Sequence, residues 1–229
     1  MQSCQLGPKF PPWLRTQEKA TFLDMSYAGI VDSIPDWFWN FTSHADTLYL
    51  NNNEIRGKLP RSPKFQLNTE VLIDMSSNHF EGALPYFPSN VVQLYLWNNS
   101  FTGPIPPSIN AKMPKLVYLS FAQNNLSGHL PADLCKLKEL VVLDLSANHL
   151  IGEIPDRRER AEGILFLNLA GNKLFGGFPM SIGSLNSLQL LDLSNNDLSG
   201  ELPEISMNLT QLWTLDLSRN RSQDAYQLG

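Results

Sequence analysis

One thirteen-residue phrase, written eight times, limits what this chain can fold into more than any other feature. Its clearest copy reads Leu143-Asp144-Leu145-Ser146-Ala147-Asn148-His149-Leu150-Ile151-Gly152-Glu153-Ile154-Pro155. The general form is L-x-L-x-x-N-x-L-x-G-x-[IL]-P, with its first position at Leu23, Leu48, Ile73, Leu94, Leu119, Leu143, Leu167 and Leu191. Successive copies are 25, 25, 21, 25, 24, 24 and 24 residues apart. A fixed period of this size marks a solenoid, in which each unit buries its apolar face against its neighbours. The 229 residues therefore read as one continuous stack, where length alone would allow one or two globular domains.

Each part of the phrase has a physical reason. The L-x-L pair alternates with strand periodicity, so its leucines point inward. The asparagine that follows turns the chain, and its buried amide is expected to satisfy backbone groups of its own rung and the next. The resulting spine is Asn53, Asn78, Asn99, Asn124, Asn148, Asn172, Asn196 and Asn220, with Ala28 in the corresponding place of the first copy. A glycine then supplies conformations that other residues resist. The [IL]-P unit suits an extended edge strand, where the missing N–H does no harm. Return legs such as Leu134-Leu137-Leu140 have a three-residue period suited to short helical or 3-10 turns. Two stretches, 61–70 and 156–163, put charges where apolar return-leg residues belong. They read as solvated convex loops, with an irregular partner-touching island as the alternative.

Little else in the composition points to chemistry. A net charge of −5 and a pI near 5.3 leave no basic footprint for nucleic acid. No run of about 18 apolar residues is available to span a membrane. The first eight residues lack the basic start and apolar centre of a signal peptide. Cys4 and Cys135 fall five rungs apart, on the order of 24 Å at the usual strand spacing, well past the roughly 7 Å limit for a disulfide. They are expected to be buried free thiols. No His-x-x-x-His or Cys-x-x-Cys spacing, phosphate-cradling loop or kinase signature occurs. His79 and His149 share the variable position after the spine asparagine. Asp24, Asp74, Asp144, Asp192 and Asp216 fall between the inward leucines and read as a solvated concave face. The expectation is no enzyme, no catalytic or metal-binding residue and no cofactor.

Binding is the stronger reading, because outward strand positions pool side chains from successive rungs into one concave surface. In the early rungs these are Tyr27, Tyr49, Asn51, Asn52, Tyr95, Trp97 and Tyr118. In later rungs the columns hold Ser146, Ala147, Ala170, Gly171, Ser194 and Asn195. Aromatic residues are the usual anchors of protein interfaces, so the early rungs are the candidate ligand footprint. Five N-x-[ST] sequons, a mild excess over chance, give Asn40, Asn98, Asn125 and Asn208 as glycosylation candidates. The fifth, Asn220, is a spine residue expected to stay bare in a folded rung.

The L-x-G-x-[IL]-P extension resembles the plant-specific leucine-rich repeat subfamily. The tracts Ser3-Cys4-Gln5-Leu6-Gly7-Pro8-Lys9-Phe10-Pro11, Trp13-Leu14-Arg15-Thr16-Gln17 and Ile34-Pro35-Asp36-Trp37-Phe38-Trp39 resemble the middle of plant receptor-like protein ectodomains, including disease-resistance proteins that recognise elicitors. The implied fold is an α/β repeat. It is a plant-type leucine-rich repeat solenoid, a β-rich right-handed superhelix with a parallel sheet on its concave face and short 3-10 or helical turns on its return legs. The template extends over residues 1–220 as about nine rungs, with Cys4 in an asparagine position and both ends cutting through a rung; residues 221–229 leave it. Members of the family carry a signal peptide, paired cysteine caps and a membrane helix, so the chain reads as an internal ectodomain fragment without caps or anchor. The resemblance implies cell-surface recognition of an extracellular protein or peptide in defence signalling, with a leucine-rich repeat receptor kinase as co-receptor. The alternatives are an enzyme inhibitor like the polygalacturonase-inhibiting proteins, a developmental receptor fragment, and a truncated product without signalling of its own.

Overall fold

The computed structural model describes residues 4–17, 19–156, 163–200 and 209–221. Expectations about Met1 to Ser3, most of the 156–163 stretch, Asn208 and the tail after Arg221 lie outside them. Two parallel sheets run the length of the stack. Nine L-x-L segments form the first, in the order β1 (Phe22–Asp24), β2 (Thr47–Tyr49), β4 (Val71–Asp74), β6 (Val91–Tyr95), β8 (Tyr118–Ser120), β10 (Val142–Asp144), β12 (Phe166–Asn168), β14 (Leu190–Asp192) and β16 (Thr214–Asp216). In this sheet each strand pairs with the matching strand of the next rung, Leu23 opposite Leu48 and Leu143 opposite Leu167. The fold is therefore the plant-type leucine-rich repeat solenoid.

The second sheet departs from expectation. Among the described residues it has seven strands, β3 (Arg56–Lys58), β5 (His79–Ala83), β7 (Ser100–Gly103), β9 (Asn125–His129), β11 (His149–Gly152), β13 (Lys173–Gly176) and β15 (Asp197–Leu198). These strands form on the x-L-x-G stretch just after the spine, and the proline follows them. The missing N–H thus falls where the ladder has already ended. Gly152 shows why the phrase needs glycine: its φ is +91°, and an added Cβ would lie 2.3 Å from the His129 ring of the preceding rung.

The core lies between the sheets and the return legs. Its densest line is the apolar residue two places after each spine asparagine: Ile55, Phe80, Phe101, Leu126, Leu150, Leu174 and Leu198 are at most 1 % exposed. The spine runs beside this line. Each asparagine from Asn53 to Asn220 donates from Nδ2 to a carbonyl of its own rung and to one of the preceding rung. Its Oδ1 accepts an N–H that also belongs to the preceding rung, as Asn124 does from Phe101. The stitching therefore runs backward along the chain, opposite to the direction read from the sequence. A turn points its amide at the rung already laid down.

Return legs carry short turns: helix α1 (Phe38–Phe41) with a 3-10 continuation Thr42–His44, helix α2 (Ile109–Lys112), and 3-10 turns at Pro12–Thr16, Ala132–Lys136 and Met180–Ser184. Two successive rungs have none. The leg over 61–70 is off template, and the next rung is the short one of 21 residues. There the register of β4 against β6 shifts between Val71 and Leu72. The two thin legs leave a groove of about 900 Å³ lined by Arg61, Lys64, Phe65, Tyr86, Phe87 and Lys112, among others. The 61–70 stretch is pinned to both neighbours, by Gln66 N–H to the Ala45 carbonyl and by Asn90 Nδ2 to the Gln66 and Thr69 carbonyls.

Cys4 and Cys135 form no disulfide with each other, and neither is fully buried. Cys4 is exposed, since no earlier rung covers it among the described residues. Cys135 is half-buried on a return-leg turn, its Sγ facing the Pro155 carbonyl.

Candidate functional site

Strand register turns the outward positions into columns. The column between the two inward leucines runs Asp24, Tyr49, Asp74, Tyr95 and Ser120, each residue paired with the next. It continues through Asp144, Asn168, Asp192 and Asp216. The neighbouring column, before the first leucine, pairs Leu72 with Gln93, Gln93 with Tyr118, Tyr118 with Val142, and then Phe166 and Leu190.

The aspartates have a structural task that the sequence reading missed. In each, Oδ1 accepts the N–H of the serine two residues on; for Asp74 and Ser76 the distance is 2.9 Å. The same bond closes the strand at Asp24, Asp144, Asp192 and Asp216. A short acceptor side chain bonding two residues ahead makes an Asx turn. Asn168 does the same towards Ala170, at 3.0 Å. The signal was present as the D-x-S spacing inside the repeated phrase.

The seven expected ligand-facing residues separate into three sets. Tyr49, Tyr95 and Tyr118 lie on the sheet itself, half-buried, with Trp97 just past the end of β6. Tyr27 and Asn52 lie beyond the ends of β1 and β2. They occupy the place before the spine asparagine, which takes left-handed φ in rung after rung: +54° at Tyr27, +56° at Asn52 and +54° at Asn98. That place is a tight turn at the rim of the sheet. Asn51 keeps its Oδ1 buried, away from the open face, where it has no hydrogen-bond partner among the described residues. Phe22 joins the patch unforeseen: its ring is 59 % exposed and lies 6.0 Å from that of Tyr49. The contrast with small later rungs fails in the column ahead of the first leucine. Ahead of the first leucine, Val142, Phe166 and Leu190 keep the later rungs apolar.

The early patch is electronegative. Burial, followed by the charges of Tyr118, Asp74 and Tyr49, pushes the Tyr95 phenol up to about 12. Burial with Asp74 and Asp24 also raises Tyr49. Burial raises the Asp74 carboxyl, against the lowering effect of its Ser76 bonds. Neither of the two columns holds a lysine or arginine among the described residues. A folded-state pKa above 10.0 means the folded chain holds its proton more tightly than the unfolded one, so stability declines as pH rises from about 10 to about 12. Tyr95→Phe is expected to reduce that alkaline loss, read as a smaller drop in urea midpoint between pH 9 and pH 11 than in the parent chain.

Among the described residues no three His, Cys, Asp or Glu side chains are grouped to hold a metal ion, and no helix is long and apolar enough to cross a membrane. Of the sequon asparagines, Asn40, Asn98 and Asn125 are exposed.

Comparison with known proteins agrees with this geometry. Leucine rich repeat family models match residues 89–150 and 187–209. Two tomato (Solanum lycopersicum) proteins, receptor-like proteins EIX2 and EIX1, are 42 % identical over 93 residues and 44 % identical over 91. Each match covers 40 % of this chain and 9 % of the relative, so the matched stretch spans about a tenth of those proteins. Among solved structures, the Arabidopsis receptor kinase HAESA, in complex with the peptide hormone IDA and the co-receptor SERK1, superposes with a TM-score of 0.81. It is 27 % identical, over 93 % of this chain and 40 % of HAESA. A plant ice-binding protein superposes at 0.63 with 23 % identity over 84 % of this chain and 70 % of its own, a likeness of fold alone. The family models and the tomato matches support a plant leucine-rich repeat protein of the receptor-like kind.

Proposed function

We propose that this stretch of plant receptor-like leucine-rich repeats is a non-catalytic recognition module of a cell-surface receptor, binding an extracellular protein or peptide on its early concave rungs. The observation that carries this reading is the cluster of Phe22, Tyr49, Tyr95, Trp97 and Tyr118 on the early rungs, where the column that holds Tyr49 and Tyr95 continues as Asp144, Asn168 and Asp192 in the later ones. Half-buried aromatic residues lose little rotamer freedom on binding and bring a large area, which is why they anchor interfaces. Fold alone would not carry the reading, since the same solenoid serves an ice-binding protein. Its similarity to receptor-like proteins, and to an ectodomain solved with a peptide hormone and a co-receptor, supports the receptor role. Defence signalling is the role we favour, with a leucine-rich repeat receptor kinase as signalling partner, because the tracts over Cys4–Pro11 and Ile34–Trp39 resemble those of disease-resistance receptor-like proteins.

The test is a leaf assay on the receptor that carries this segment. Leaves expressing the parent receptor or its Tyr49→Ala/Tyr95→Ala/Trp97→Ala form are treated with fungal culture filtrates, and the oxidative burst is recorded. The expected result is a burst that the triple substitution lowers at least tenfold with surface level unchanged, because each anchor contributes about 2 kcal/mol or more. An equal burst from both receptors, or none from either, contradicts the proposal.

A further inference from the structure

One position within the early rungs has the geometry of a cation slot. Tyr49 on β2 and Tyr95 on β6 stand in register on either side of Asp74 on β4. Adjacent strands are about 4.8 Å apart, so two phenol side chains rise roughly 9.6 Å apart with a carboxylate midway. A cation over that carboxylate lies within about 6 Å of both ring columns, the range in which ring faces attract positive charge. We propose that the Tyr49–Asp74–Tyr95 slot receives one arginine side chain of the ligand, the two rings as walls and the carboxylate as floor.

Several observations point to an arginine. Only Oδ1 of Asp74 is used by the turn, and Oδ2 has no hydrogen-bond partner among the described residues. No lysine or arginine among them pairs with Asp74, whose carboxyl pKa is raised by burial and, to a lesser degree, by the charge of Asp24. Burial, with the nearby Asp74 charge, keeps both phenols protonated, so they offer neutral ring faces at physiological pH. A planar guanidinium can stack against a ring while donating to a carboxylate; an ammonium offers no plane to stack. The slot is particular to this place. Asp144 stands between Ser120 and Asn168, and Asp192 between Asn168 and Asp216, so neither has aromatic walls.

This proposal rests on the concave face being the recognition surface, and its test separates the two. The probe is Nα-acetylarginine methylamide, titrated against the chain while the Tyr49 and Tyr95 ring resonances are followed. Its neutral citrulline counterpart serves as control. Saturable shifts at both rings are expected, at least tenfold weaker with citrulline and at least tenfold weaker in Asp74→Asn. That variant keeps the turn, because Asn168 already makes the same bond in this chain. Asp144→Asn, which lacks the ring walls, is expected to leave the titration unchanged. Absence of saturable shifts, equal shifts with citrulline, or an indifferent Asp74→Asn overturns the slot. A ligand lost in the triple alanine receptor but indifferent to Asp74→Asn likewise removes the slot and leaves concave recognition standing.

Discussion

Phe101→Ala is expected to lower the stability of the array by about 3–5 kcal/mol, the usual cost of emptying a buried phenylalanine site. The ring is 0 % exposed and stacks on Phe80 with centroids 6.2 Å apart and planes 18° from parallel. Phe80 and Leu126 occupy the same place in the rungs on either side, both at most 1 % exposed. These neighbours are fixed by their own strands and spine bonds, so the site cannot collapse around the missing ring, and the cavity remains. A stack is also nearly one-dimensional, and a weakened rung uncouples the two halves. Urea unfolding followed by tryptophan fluorescence is the check. A lower midpoint is expected, with a reduced slope if the halves separate. A shift equivalent to less than about 1 kcal/mol would be inconsistent with a rigid stacked core.

Asn148→Ala is the second large effect. Asn148 is 4 % exposed and makes four hydrogen bonds. Its Oδ1 accepts Leu126 N–H at 2.9 Å, and its Nδ2 reaches the carbonyls of Phe121 at 2.9 Å, Ser146 at 3.1 Å and Leu145 at 3.2 Å. Alanine leaves the Leu126 N–H and the Phe121 carbonyl without this partner inside the stack, where water cannot easily replace it. Each buried unsatisfied group costs about 1–3 kcal/mol, so a loss on the order of 3 kcal/mol is expected. The same substitution at Asn220, half-buried in the last described rung, is expected to cost less. Denaturant midpoints of the two variants check the pair; equal losses would mean that spine bonds are not strengthened by burial.

The repeat was legible because each rung solves the same problem with the same residues, so period and burial coincide in one string. The inward leucines, the spine positions and the placing of Tyr49, Tyr95 and Tyr118 on one face follow from that register. What was not legible depends on how neighbouring rungs meet. The backward reach of Asn124 to Leu96 and Phe101 cannot be read from a period, which is the same in both directions. The second sheet needs the glycine dihedrals, and the rim position of Tyr27 and Asn52 needs their left-handed φ. The Asp74 slot needs the pairing of three strands, one of them across the shifted register of the 21-residue rung. Phe22 was missed for a simpler reason: its outward column, ahead of the first leucine, was followed only at Tyr118.

Photo-crosslinking tests the placing of recognition on the early rungs most directly. A benzoylphenylalanine is introduced at Gln93, beside Tyr95 on β6, or at Leu190 on β14, in the receptor carrying this chain. Each form is exposed to the active filtrate, irradiated, and assayed for a covalent adduct. Recognition by the early aromatic rungs predicts an adduct at Gln93 and none at Leu190; an adduct at Leu190 with none at Gln93 contradicts it.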